Sequence, residues 1–185
     1  MTSEHEFSAG YEHKPLPSGM ARNGFILLGI GIILTALAFF AEPVRAVFNS
    51  VILFMFISSI GVCSIFLIAL EYLVGAVWSV PFRRTAEFLA ALVFIAPILA
   101  LPGLLNMHDL FHWTHTEAVQ ADPILQSKSP YLNTPFFIIR FAGVFILWFI
   151  FYLILRLNSK KQDIDGDQKY THRNAVAGAV FMPVL

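Results

Sequence analysis

The chain has 185 residues, of which 57% are hydrophobic and only 13% are charged, and its mean hydropathy is +0.71. A soluble domain carries about a quarter of its residues as charged side chains, so this composition excludes an ordinary soluble domain. The formal net charge of +0 gives no reason to expect nucleic acid as a partner. We therefore predict an all-α fold, a polytopic transmembrane helix bundle whose first partner is the lipid bilayer.

The chain begins with a polar tail, residues 1–23, and the predicted bundle occupies residues 24–185. Apolar blocks then follow at 24–41, 49–75, 88–105, 134–157 and 175–185. Each of the first four is long enough to cross a bilayer, whereas eleven residues of helix rise only about 16 Å, roughly half the hydrocarbon thickness. We expect four complete spans plus a truncated fifth, and hence a chain that is a fragment of a longer protein.

Basic residues predict the orientation. With the N-terminus in the cytoplasm, the inner segments hold nine of them: Lys14, Arg22, Arg83, Arg84, Arg156, Lys160, Lys161, Lys169 and Arg173. The outer segments hold only Arg45 and Lys128. This positive-inside asymmetry predicts that the tail is cytoplasmic and that the loop 106–133 is external.

Glu71, Glu87 and Arg140 are ionisable residues within or at the ends of the spans. Such groups cost several kcal/mol unless they are paired or hydrated, so they are candidates for a proton path. Glu71 and Glu87 share the inner face with Arg83 and Arg84. That grouping is consistent with the cytoplasmic mouth of a proton path, or with structural ion pairs that hold the loop between the second and third spans.

Arg140 enters the fourth span from the outer side. It lies about 22 Å in depth from Glu71, so the two cannot pair directly. The acidic residues of the outer loop, Asp109, Glu117 and Asp122, offer counter-charges instead. A fixed cation at this depth is suited to act as a structural tether, or to bind a quinone carbonyl or a carboxylate of a partner.

The outer loop carries His108, Asp109, His112 and His115. In a helix the three imidazoles would share one face, a spacing that could bind zinc. The interleaved Phe111 and Trp113 instead favour an amphipathic helix at the membrane surface. We predict a docking or proton-relay surface here and no metal site.

Nothing in the spans predicts a redox centre or a catalytic residue. The only cysteine, Cys63, excludes a CxxCH haem-attachment motif and a cluster held by cysteines of this chain alone. None of the four complete spans contains a histidine, so haem b ligated by two histidines is not available. In the third span, Pro97 and Pro102 remove backbone donors and predict a kink.

Three stretches resemble a known family: 78–87 (WSVPFRRTAE), 108–115 (HDLFHWTH) and 122–140 (DPILQSKSPYLNTPFFIIR). They are similar to the NrfD/PsrC-like membrane subunits of alternative complex III, a bacterial quinol:cytochrome c oxidoreductase of the respiratory chain. The resemblance implies a non-redox subunit in the bacterial inner (cytoplasmic) membrane, with no cofactor of its own apart from a possible quinone. It also implies other membrane, cytochrome c and iron–sulfur subunits as partners.

The function that the resemblance implies for this subunit is a contribution to a proton pathway, to the quinone side or to the scaffold of the complex. Two other interpretations stay open. One is a purely structural or assembly subunit, whose polar residues serve folding and docking. The other is a fragment of an unrelated small transporter.

Overall fold

The structure is a computed structural model that describes residues 18–76 and 79–184. Within these ranges every regular element is helical and no strand occurs, so the predicted all-α fold is confirmed. Residues 1–17 of the predicted polar tail lie outside the described residues. The first helix begins at Ser18. The described residues divide after Ala46 into two compact units.

In the first unit, helix α1 covers Ser18–Ala41 and ends at the predicted end of the first apolar block, directly before Glu42 and Pro43. Proline has no backbone N–H, so a helix that reaches Pro43 loses its next hydrogen bond and a new helix begins there. Helix α2, Pro43–Val74, accordingly starts at this proline, six residues before the predicted block. Gly75 ends it with a φ of +66°, a left-handed conformation that suits glycine at a helix C-terminus.

The third span is not one continuous helix. Helix α3, Val80–Ala90, passes into a 3₁₀ turn at Ala91–Phe94, and helix α4 resumes over Ala96–Leu105. Pro97 lies in the first turn of α4, where its missing N–H is tolerated. The predicted kink is therefore present as a break in the helix.

Four short segments form the loop that follows: α5 (Met107–Leu110), a 3₁₀ turn (His112–Thr114), α6 (Thr116–Ala121) and α7 (Pro123–Lys128). Helix α8, Thr134–Asp165, begins with an Asn133 cap, whose side-chain oxygen accepts the Phe136 N–H at 2.9 Å. It ends at Gly166, with φ +65°. The helix thus runs eight residues past the predicted end at Leu157, because polar residues extend it beyond the apolar block.

Helix α9, Lys169–Phe181, turns back along α8 and begins six residues before the predicted fifth block. Its Asn174 is fully buried and donates to the Leu155 carbonyl of α8 at 3.1 Å. Asn158 in turn donates to the Asn174 side-chain oxygen at 2.9 Å. These bonds satisfy the buried amide and hold the two helices together.

In the second unit, the core lies where α2, the broken third span, α8 and α9 meet. Ile65, Val93, Leu155 and Phe181, one residue from each, are all at most 2% exposed. Large apolar side chains cover the outside of the same helices, as expected for surfaces that face lipid. Among the residues that the structure describes, four helical segments are long and apolar enough to cross a membrane: Gly19–Ala41, Pro43–Val74, Pro81–Leu105 and Thr134–Asp165.

The turn between α8 and α9 carries an exposed charge pair whose effect should depend on pH. Lys169 donates its side chain to Asp167 at 2.7 Å and its backbone N–H at 2.8 Å. The side-chain hydrogen bond, followed by the backbone one, lowers the pKa of Asp167, and the hydrogen bond from Asp167 raises the pKa of Lys169. The stabilisation is thus present above the ordinary aspartate pKa of 3.8 and below the ordinary lysine pKa of 10.5, and is lost outside that window.

We expect Asp167→Asn to lower the thermal unfolding temperature slightly near neutral pH, because the amide keeps the backbone acceptor but loses the charge. Thermal unfolding in detergent should show that the difference from wild type vanishes as the pH falls below 3.8. A difference in unfolding temperature that is as large below pH 3.8 as near neutral pH would contradict the assignment of the effect to the carboxylate.

Candidate functional site

Five charged side chains gather where the end of α2, the start of α3 and the end of α8 meet. This charged cluster comprises Glu71, Arg83, Arg84, Glu87 and Asp163. The first four were predicted from the sequence to share one face, and the structure brings them together as two ion-paired groups. Both glutamates are buried, at 9% and 5% exposure, so each depends on its arginine for a counter-charge.

Glu71 forms a closed pair with Arg83. One carboxylate oxygen, Oε1, accepts from Arg83 Nε at 2.7 Å and from Nη2 at 2.5 Å. The third guanidinium nitrogen, Nη1, donates to the Tyr72 hydroxyl at 3.2 Å, and the guanidinium lies 4.4 Å from the centre of the Tyr72 ring. The pair joins the last turn of α2 to the first turn of α3, across the turn at Gly75.

Glu87 shares its arginine with a second acid. Arg84 lies one helical turn before Glu87 and donates Nη1 to Glu87 Oε2 at 2.6 Å. The other nitrogen, Nη2, donates to Asp163 of α8. Ser159 of α8, only 2% exposed, lies 3.4 Å from Nη1. The remaining oxygen, Glu87 Oε1, is buried and has no hydrogen-bond partner among the described residues.

A groove of about 320 Å³ adjoins the Glu71–Arg83 pair. Its walls are mostly apolar, and the ion pair supplies their charged part. The lining residues come from α2, the following turn and α3: Leu67, Leu70, Glu71, Val74, Ala76, Ser79, Phe82, Arg83 and Ala86. A groove of this kind suits the apolar part of an amphiphilic molecule with a polar group at the ion pair.

Arg140 lies apart from the charged cluster, as predicted, but its expected counter-charges are not there. In the ranges that the structure covers, no carboxylate of Asp109, Glu117 or Asp122 lies within ion-pair distance of it. Its guanidinium instead stacks on the Tyr131 ring at 3.6 Å and donates to the Tyr131 carbonyl at 3.2 Å. Aromatic stacking thus takes the place of the predicted acidic partners. It favours the interpretation of Arg140 as a structural tether.

The histidine loop does not form the single amphipathic helix expected for it. Phe111 and His115 have extended backbones and divide the segment into one-turn pieces. The fold nevertheless gathers the imidazoles, because the His108 and His115 rings lie 3.9 Å apart and those of His112 and His115 lie 6.0 Å apart. The ring contact comes from chain reversal and not from the i, i+4, i+7 spacing. The docking or relay role predicted for His108, Asp109, His112 and His115 stays a prediction.

Sequence reasoning missed Asp163, Ser159 and Tyr72. A signal for the first two exists in the period of α8, since Tyr152, Leu155 and Ser159 form its buried face. One further turn along that face leads to Asp163. The predicted end of the span at Leu157 hid this continuation.

The sequence matches no known protein-family model, and no curated protein is similar to it at a significant level. The fold and the site therefore define the class. The chain is a multi-pass helical membrane protein with buried, ion-paired glutamates near the ends of two of its spans.

Proposed function

We propose that this chain is a non-redox membrane subunit of a bacterial quinol:cytochrome c oxidoreductase of the alternative complex III kind. Support comes from the three similar stretches, which include Arg83, Arg84, Glu87 and Arg140. The basic residues support an N-terminus in the cytoplasm. The bacterial inner membrane is what the resemblance implies. In that orientation the charged cluster lies at the cytoplasmic ends of its helices.

The observation that carries the proposal is the pair of buried glutamates. Each would cost several kcal/mol without its arginine, and such groups within spans commonly serve ion or proton movement. The cluster extends from the half-exposed Asp163 to Glu87, whose side chain is only 6% exposed. This arrangement suits the cytoplasmic mouth of a proton path, and the adjoining groove suits part of a quinone.

In this proposal the chain moves no electrons itself. Cytochrome c and iron–sulfur partners carry them, because the spans offer neither histidine pairs nor cysteine sets for a redox centre. The chain contributes to a proton route, to the quinone side of the complex or to its scaffold. Its exposed apolar helix surfaces provide contact area for other membrane subunits and for lipid.

The first test is purification of the tagged chain from its native membrane in mild detergent. We expect c-type haem absorption and quinol:cytochrome c reductase activity to accompany the chain, with an untagged strain as the control. Purification without haem and without that activity would contradict the proposal.

A scaffold role is the second candidate, favoured by the ion pairs that join α2 to α3 and α3 to α8. The double substitution Glu71→Gln/Glu87→Gln distinguishes a proton path from a scaffold. A proton path predicts an assembled complex that still turns over with a lower proton-to-electron ratio in vesicles. A scaffold predicts less assembled complex, with an unchanged ratio in whatever assembles.

A further inference from the structure

Arg140 is a charged side chain within a span that the chain leaves only partly bonded. The guanidinium of arginine stays charged in proteins and carries several N–H donors in a planar fork. In the described part of the chain its one hydrogen bond runs from Nη2 to the Tyr131 carbonyl, at 3.2 Å. Its Nε is buried without a partner, and no carboxylate of the described residues lies within ion-pair distance. A cation in this position calls for an anion from outside the chain.

We propose that Arg140 binds the phosphate group of an anionic phospholipid, in the leaflet at which α8 begins. The site lies near the first turns of α8, whereas the charged cluster lies near the other end of that helix. The inference goes beyond the proposed oxidoreductase function and does not depend on it.

The position of Arg140 along α8 places its charged end near the level of the lipid headgroups. Arg140 follows Thr134, the first residue of the helix, by six positions, so its backbone lies about 9 Å below the start of α8. Side chains of a helix lean toward its N-terminus, and a long arginine side chain extends further in that direction. The contacts agree, because both Tyr131 and Phe136 precede Arg140 in the chain. The guanidinium therefore reaches toward the membrane interface, where the phosphate groups of lipids lie.

Two aromatic rings hold the guanidinium in place. Its central carbon lies 3.6 Å from the centre of the Tyr131 ring and 4.8 Å from that of the Phe136 ring. The two rings pack edge to face, with their centres 5.6 Å apart. Tyr131 is 57% exposed, and tyrosine is a residue typical of the bilayer interface. Stacking fixes the fork without cancelling its charge, so the donors are already oriented for a phosphate.

The neighbouring charges favour a lipid with net negative charge. Lys128 lies one turn before Tyr131, whose N–H donates to the Lys128 carbonyl at 2.9 Å. The Lys128 side chain is exposed, and within the described ranges it forms no ion pair. The acids of the outer loop are all outside ion-pair distance of both cations: Asp109, Glu117 and Asp122. Two cations without a paired carboxylate favour an anionic headgroup over a zwitterionic one, which brings its own ammonium group.

The surroundings of Arg140 favour a lipid over a carboxylate of another protein. Both anions fit two N–H groups of the guanidinium fork, so the donor geometry alone does not choose between them. The residues directly before Arg140 on α8 are Ile138 and Ile139, which are 46% and 65% exposed. Exposed isoleucines on a spanning helix face lipid chains, so the site opens beside the acyl region of the bilayer.

Native mass spectrometry of the purified chain in a non-ionic detergent measures the binding. We expect phosphatidylglycerol to bind more tightly than phosphatidylcholine with the same acyl chains. Arg140→Gln should weaken phosphatidylglycerol binding by a factor of about 10 to 100, the effect of losing a hydrogen bond between charged groups. The matched control is Arg45→Gln, which should leave binding unchanged. Arg45 is an exposed arginine in the first turn of α2, without an aromatic stack or an ion pair in the described part of the chain.

The aromatic stack has its own variants. Tyr131→Leu removes the ring but keeps the backbone carbonyl, and should weaken phosphatidylglycerol binding by a factor of about 3 to 10. Tyr131→Phe keeps the ring and should bind as the wild type does. A loss of thermal stability in Tyr131→Leu with unchanged lipid affinity would contradict the role of the stack in binding.

A measurement on the unmodified chain applies even where a variant does not fold. Phosphatidylglycerol that carries a photoreactive diazirine near its headgroup, added to phosphatidylcholine vesicles that contain the chain, should label peptides that include residues 131–140. An excess of inorganic phosphate should not compete. Displacement of the lipid by inorganic phosphate would overturn the inference, and so would equal affinity for the two lipids. Loss of a protein partner in Arg140→Gln with unchanged lipid binding would assign the site to a partner carboxylate instead.

These measurements use neither haem nor quinol, so they are independent of the test of the proposed function. Lipid binding can succeed where co-purification of c-type haem fails, and the reverse.

Discussion

Arg83→Met is expected to destabilise the chain by about 3 kcal/mol near neutral pH, because it leaves the Glu71 carboxylate buried without a counter-charge. Methionine keeps much of the apolar stem of arginine, so the loss is mainly electrostatic. The Glu71 and Arg83 side chains are only 7% and 17% exposed, so water replaces little of the lost interaction. Equilibrium unfolding of the purified chain in mixed micelles measures the change in free energy.

The matched control is Arg173→Met on α9. Arg173 is exposed and forms no ion pair in the described part of the chain, so its replacement should change stability by less than about 0.5 kcal/mol. The double variant Glu71→Gln/Arg83→Met should recover much of the loss, because removal of both charges leaves neither unpaired. A single Arg83→Met variant as stable as the control would show that the pair contributes little.

The spanning helices could be predicted because few backbone structures are stable in a bilayer. Long uncharged blocks must satisfy their backbone groups internally, so hydropathy gave the four spans. Some predicted boundaries are accurate, such as the end of the first block at Ala41 and the start of the fourth at Thr134. Other boundaries were misplaced, because helices continue past the apolar block into polar residues, as α8 does to Asp165.

The pairing within the charged cluster was only partly predictable. Arg84 and Glu87 are three residues apart on one helix, a separation that places their side chains side by side. The Glu71–Arg83 pair depends on how the chain turns at Gly75. Asp163 lies 79 residues from Arg84, and its contact depends on the packing of α8 against α3. No local pattern encodes that packing.

The outer loop shows why spacing alone misleads. The i, i+4, i+7 pattern of its histidines has meaning only within a continuous helix, and extended residues at Phe111 and His115 interrupt it. Arg140 was expected to find a carboxylate because charge complementarity was the only signal in the sequence. Its stacking on Tyr131 depends on the loop doubling back over the start of α8.

Gly61→Ala is expected to destabilise the chain by about 1–3 kcal/mol, because the new methyl group has no room. A Cβ at Gly61 of α2 would lie 2.9 Å from the backbone nitrogen of Val93 and 3.4 Å from its Cα. The obstacle is backbone in the 3₁₀ turn of the third span and not the end of a flexible side chain. Relief therefore requires α2 to move away from a turn whose Val93 is fully buried.

The matched control is Gly143→Ala in α8, where a Cβ would meet nothing within 4 Å. That substitution should be neutral or slightly stabilising, since alanine favours the helix by about 1 kcal/mol over glycine. The free energies of unfolding of both variants in mixed micelles separate two effects: the close contact of α2 with the 3₁₀ turn, and the preference of alanine over glycine in a helix. Equal stability of the two would mean that α2 and the 3₁₀ turn separate at little cost. A clear loss in Gly61→Ala alone would establish that the break at Ala91–Phe94 is fixed by direct backbone contact with α2, which is what holds α3 and its two arginines in register with Glu71.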